Sequence, residues 1–135
     1  MDMQKFQQAK KILAAHGARF AYAFGSHAEN REVASSDVDL AVSFDANSTA
    51  SDRFVARLWL QQDLQKVFAP REVDLVVLND TRSATLRYEI ANKGKLIYEK
   101  NSSGRLDFEL RAMNEYEDFA PFLADYNRAY QRANV

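Results

Sequence analysis

The pair Gly25-Ser26, followed after ten residues by Asp37-Val38-Asp39, constrains this chain more than anything else in it. Phe20 to Phe24 reads as a strand, Gly25 permits a sharp backbone turn, and Ser26 opens a short helix whose free N–H groups face outward. Such a turn suits an anionic phosphate. In the strand that follows, side chains alternate faces, so Asp37 and Asp39 share one side while Val38, Leu40, Val42 and Phe44 share the other. The two Cα atoms then lie roughly 6 to 7 Å apart. At that separation two carboxylates can converge on hard cations, including a pair about 3.5 to 4 Å apart.

A third acid repeats the pattern. In Glu72-Val73-Asp74-Leu75-Val76-Val77-Leu78, Asp74 stands opposite a face of Val73, Leu75 and Val77. A carboxylate placed beside the first pair could ligate the metal that activates an incoming hydroxyl and help take its proton. The plainer reading is an ordinary strand-to-helix turn with a serine cap and solvent-facing aspartates.

Gly25-Ser26, then Asp37 and Asp39, with Asp74 downstream, resembles the active-site signature of the DNA polymerase β-like nucleotidyltransferases, particularly the small stand-alone MNT (minimal nucleotidyltransferase) proteins. The resemblance runs from about Phe20 to Tyr98. It implies an α/β (α+β) polymerase β-like fold, a small mixed sheet flanked by helices, with residues 1–100 as the transferase domain; the helical pattern of residues 101–135 reads as an extension and a candidate partner-docking element. Among MNT proteins the chain is most similar to the antitoxins of HEPN/MNT toxin–antitoxin pairs, helped by Leu86-Arg87-Tyr88-Glu89-Ile90 and Gly94-x-Leu96-Ile97-Tyr98. That similarity implies an enzyme that transfers AMP from ATP to a tyrosine of its HEPN ribonuclease partner. Asp37, Asp39 and Asp74 would be catalytic and would hold two Mg2+ ions; Gly25, Ser26, Arg31 and Ser36 would bind the nucleotide phosphates.

The run after the Gly-Ser pair departs from the family. Many relatives carry Ala-Arg-Gly after Gly-Ser-x, where this chain has His27-Ala28-Glu29-Asn30 and its nearest cation at Arg31. An acid near the phosphates opposes triphosphate binding unless it points away or Arg31 offsets it. Two alternatives therefore stand beside the leading one: an antitoxin that acts by complex formation without chemistry, and a small-molecule nucleotidyltransferase. The second would need surface to hold its acceptor, and 135 residues leave little beyond the transferase core.

At 47% apolar, a chain of this length fits one compact domain. A formal net charge of −1 gives no basic footprint for gripping nucleic acid. Without cysteine there are no disulfides, thiolate nucleophiles or Cys-based zinc sites. His16 reads as a helix end and His27 as a surface or phosphate-proximal residue. No signal-type h-region opens the chain and no apolar run approaches 18 residues, which predicts a cytoplasmic protein away from membranes.

The first helix is predicted from about Met3 to His16, with Phe6, Ala9, Leu13 and His16 on one face and Gly17 at its end. Strands follow at Ala18–Phe24 and Val38–Phe44. A helix from about Asp52 to Phe68 takes its apolar contacts from Leu58, Leu64, Val67 and Phe68, with Pro70 closing it. Trp59 and Tyr22 read as core residues rather than base-stacking ones. Next come a strand at Glu72–Leu78, a helix at Ser83–Lys93 capped by Gly94, and a short strand at Leu96–Tyr98. From about Gly104 to Ala133 the pattern is helical, and thirty residues would extend roughly 45 Å. Pro121 is expected to kink or divide that helix. Met113, Tyr116, Phe119, Leu123, Tyr126 and Tyr130 form an apolar stripe, with Phe108 and Phe122 off it, and the stripe reads equally as core or as a partner surface.

Overall fold

The computed structural model describes residues 2–25 and 37–133. Eight elements follow in chain order: α1 (Met3–Ala15), β1 (Phe20–Phe24), β2 (Val38–Ser43), α2 (Ala50–Phe68), β3 (Val73–Val77), α3 (Ala84–Lys93), β4 (Lys95–Glu99) and α4 (Ser102–Ala133). Local chemistry sets their starts. Asp2, Thr49 and Ser83 each accept hydrogen bonds from the first-turn N–H groups of α1, α2 and α3. Gly17, at φ +79°, ends the first segment in the left-handed region.

The strands form one mixed sheet in the order β3-β2-β1-β4. β1 pairs antiparallel with both β2 and β4, whereas β2 and β3 run parallel. A parallel pair needs a long crossover, and α2 supplies it. One face of the sheet carries the alternate positions Ala21 and Ala23, Val38, Leu40 and Val42, and Val73, Leu75 and Val77. Phe6, Ala9 and Leu13 of α1 and Leu60, Leu64 and Phe68 of α2 cover it. On the opposite face Phe20, Tyr22 and Ala41 pack with Leu78, Ile90 and the half-buried Phe108 of α4. The period-two reading of both acidic strands is therefore the observed one.

Two sequence expectations need correction. Trp59 and Leu58 were expected to pack inward; they are 58% and 52% exposed. Leu60, Leu64 and Phe68 take the sheet instead, which turns Trp59 and Leu58 outward. Phe108, which lies off the stripe of Met113 and Tyr116, anchors α4: its ring centroid lies 5.4 Å from that of Phe20 and 5.9 Å from that of Tyr22. Ala112 beneath it is buried, and Met113 is exposed. Pro121 does not divide α4, which continues as a single helix to Ala133. The side chains of Phe119, Phe122, Leu123, Tyr126 and Tyr130 lie outside the described ones.

Tyr116 stacks on Tyr88 with ring centroids 3.8 Å apart, and Glu115 receives Arg87 at 2.6 Å, so α4 is fastened along α3.

Candidate active site

β3 is an edge strand, and α2 closes most of that edge with three polar side chains one turn apart. Gln65 accepts the Val73 N–H at 3.0 Å and donates to the Arg71 carbonyl at 2.7 Å. Gln61 donates to the Val73 carbonyl at 2.6 Å, and Arg57 reaches the Leu75 carbonyl at 3.4 Å. This spacing fixes the rotation of α2 and holds β3 in register with β2. The sequence reading missed these residues, although the polar side chains at positions 57, 61 and 65 recur at helical spacing along α2.

The register places Asp39 directly beside Asp74, and on the other side Asp39 is the partner of Phe24. Paired neighbours in adjacent strands lie about 4.8 Å apart and point to the same face. That face is the one shared with Ala41 rather than the α1–α2 core. Asp74 is exposed and Asp39 half-buried. Asp37 sits one residue before β2, exposed, where the Val38 N–H first bonds to the Glu72 carbonyl at 2.8 Å. The chain thus gathers these acids at the end of the sheet where β1 stops and β2 and β3 begin.

Gly25 completes the described part of the site. Its φ is +70°, a region where L side chains are strained, and a Cβ there would stand 2.6 Å from Oδ2 of Asp39. The turn and the carboxylate thus approach closely. Ser26, Arg31 and Ser36 lie outside the described residues, as do His27, Glu29 and Asn30.

Carboxylate oxygens, two of them from paired strands, are the donor set that a hard divalent cation prefers, so the acids present fit magnesium. Among the described residues, however, no three acidic or histidine side chains are grouped as a cage for an ion. Beside Asp74 an open groove of about 530 Å³ runs between α2 and β3, lined by Arg53, Phe54, Arg57, Val76 and Asp80 among others. At its far end Arg53 grips Asp80 through Nε at 3.0 Å and a terminal nitrogen at 2.7 Å. That hydrogen bonding holds the Asp80 carboxyl below its ordinary value.

Deeper on the same sheet face, Tyr22 donates to Glu109 at 2.5 Å, and Arg105 joins Glu109 at 3.2 Å to Glu99 at 2.6 Å. Burial, and then the hydrogen bond to Glu109, push the Tyr22 phenol above its ordinary range. Tyr22 is thus a structural phenol, as its core assignment implied. His16 is likewise structural, bonded to Asp63 at 2.8 Å across α1 and α2.

No helix among the described residues is long and apolar enough to cross a membrane. No curated protein matches the chain in sequence. Several solved structures share its fold. A mutant toxin–antitoxin complex containing MntA superposes with a TM-score of 0.75 at 21% identity, covering 93% of this chain and 98% of that one. A toxin–antitoxin structure with AMP-PNP gives 0.74 at 22% identity, covering 96% and 99%. The complex of tri-AMPylated HEPN toxin with MNT antitoxin from Shewanella oneidensis gives 0.70 at 22% identity, again covering 96% and 99%. The model of the polymerase β nucleotidyltransferase family matches residues 7–103, from within α1 to the start of α4, and the chain belongs to that family.

Proposed function

We propose that this protein transfers AMP from ATP to a tyrosine of a cognate HEPN ribonuclease toxin and thereby serves as its antitoxin in the cytoplasm. The observation that carries the reading is the pairing of Asp39 with Asp74 across β2 and β3, next to a turn at Gly25 whose positive φ and close approach to Asp39 disfavour a side chain. The fold shared with MNT chains from toxin–antitoxin complexes, one with AMP-PNP and one with an AMPylated toxin, supports the choice of nucleotide and acceptor.

In the proposed reaction the tyrosine oxygen attacks the α phosphorus of ATP. The bond from that phosphorus to the β-phosphate bridging oxygen breaks, pyrophosphate departs with its electron pair, and the phenolic proton passes toward Asp74. Asp37, Asp39 and Asp74 would hold magnesium, which would supply positive charge against the phosphate oxygens. Gly25 and Ser26 would cradle the β and γ phosphates, with Arg31 and Ser36 beside them. Residues 1–100 would be the catalytic unit, and α4 a docking element through Leu106, Leu110 and Met113, which are 52%, 61% and 39% exposed.

Incubation with labelled ATP, magnesium and the cognate HEPN ribonuclease tests this directly: label should reach a tyrosine of the ribonuclease and should vanish with Asp39→Asn. A second reading, neutralisation by binding alone, is favoured by the large apolar side chains left in solvent on α2 and α4. A double variant, Asp37→Asn with Asp39→Asn, that still neutralises the ribonuclease in cells would support it.

A further inference from the structure

α2 presents two apolar faces, and the sheet uses one. On the other, Phe54, Val55, Leu58 and Trp59 are 59%, 52%, 52% and 58% exposed. These positions follow i, i+1, i+4, i+5 and so form one continuous strip along two turns. Phe54 belongs both to this strip and to the groove that leads to Asp74. The strip and the candidate active site are therefore parts of one surface.

The two cations of the groove differ. Arg53 is committed to Asp80 and to the backbone and hydroxyl of Ser48. Arg57, among the described residues, has a single hydrogen-bond partner, the Leu75 carbonyl at 3.4 Å, reached through Nε. Its two terminal nitrogens are thus available to a carboxylate entering the groove.

We infer that the outer face of α2 docks the acceptor protein and that the groove guides its tyrosine to Asp74, with Arg57 pairing an acidic group beside that tyrosine. The inference rests on the proposed transfer to a protein acceptor and names the surface that selects it. The occupant is fixed by the continuity of the strip with the groove and by charge: an apolar partner face covers Phe54, Val55, Leu58 and Trp59, and a carboxylate near the acceptor hydroxyl meets Arg57. A small acceptor would leave the strip uncovered.

The test uses the full-length protein with the purified cognate HEPN ribonuclease. Phe54→Asp, Trp59→Glu and Arg57→Glu are compared with wild type for KM of ATP, KM of the ribonuclease and, by calorimetry, affinity for the ribonuclease. The expected result is a rise of about tenfold or more in the ribonuclease KM and Kd, with the ATP KM unmoved. Circular dichroism and melting checks that each variant is folded, and Arg57→Lys, which keeps the charge, should recover part of the loss. A raised ATP KM in Arg57→Glu with an unchanged ribonuclease KM would assign the groove to the nucleotide and overturn the inference. So would unchanged affinity in Phe54→Asp and Trp59→Glu, or a wild-type homodimer in sedimentation that Trp59→Glu dissolves. A wild type that binds the ribonuclease through this strip but transfers nothing would refute the proposed chemistry while leaving the docking surface standing.

Discussion

A methyl group placed on Gly25 would sit 2.6 Å from Oδ2 of Asp39, so the turn after β1 and the half-buried carboxylate of β2 are fitted to each other. Gly25→Ala meets this contact and also a φ of +70°, which alone costs roughly 1 to 2 kcal/mol. The variant should melt several degrees lower, and transfer should fall on the order of 100-fold or more as the carboxylate is displaced. Asp39→Asn keeps the turn intact; it should match the loss of transfer with little change in melting temperature.

Two leucines of α2 that are two residues apart should behave oppositely. Leu60 is fully buried against the sheet, and Leu60→Ala should cost about 2 to 5 kcal/mol in urea unfolding. Leu58 is 52% exposed, and Leu58→Ala should stay within about 0.5 kcal/mol.

The edge of β3 depends on its glutamines. Gln65→Ala removes the acceptor for the Val73 N–H and the donor to the Arg71 carbonyl. Leaving such groups unmatched costs about 1 to 3 kcal/mol. Faster amide exchange at Val73 should accompany the loss, because that hydrogen bond lies on the strand's outer edge.

Stability should also carry a signature of Asp80. Its carboxyl is held low, first by the hydrogen bond from Arg53, so the folded state binds a proton there less readily than the unfolded chain. The contribution is therefore full above the unfolded value of about 3.9 and fades as pH falls through the lower folded value. Urea midpoints measured at neutral pH and then downward through that window should drop less in Asp80→Asn than in wild type. Added salt should shrink the difference, since the pair is partly exposed.

Much of this architecture was legible in the order of residues, and the exceptions have a shared cause. Val38, Leu40, Val42 and Phe44 alternate with Asp39 and Ala41 so regularly that the face of β2 turned to α1 and α2 follows from period two alone. Trp59 was misplaced because α2 carries two apolar stripes, and a helical wheel cannot rank them. The arbiter is non-local: the edge of β3 needs Gln61 and Gln65, and satisfying it rotates Leu60 and Leu64 inward. The anchoring role of Phe108 was not legible for a related reason, since the pocket it fills is made by Phe20 and Tyr22 far away in the chain. At the site, alternation put each acid on a face, but the adjacency of Asp39 and Asp74 depends on a parallel register set across the whole of α2.

The central claim is that this paired-acid site moves AMP onto a protein tyrosine. Mass spectrometry of the cognate HEPN ribonuclease after incubation with ATP, magnesium and the full-length protein tests it most directly. The account predicts the added mass of one or more AMP groups on tyrosine, with none when either Asp39→Asn or Asp74→Asn replaces wild type. An unmodified ribonuclease that is nevertheless fully neutralised, equally by wild type and by both variants, would contradict it.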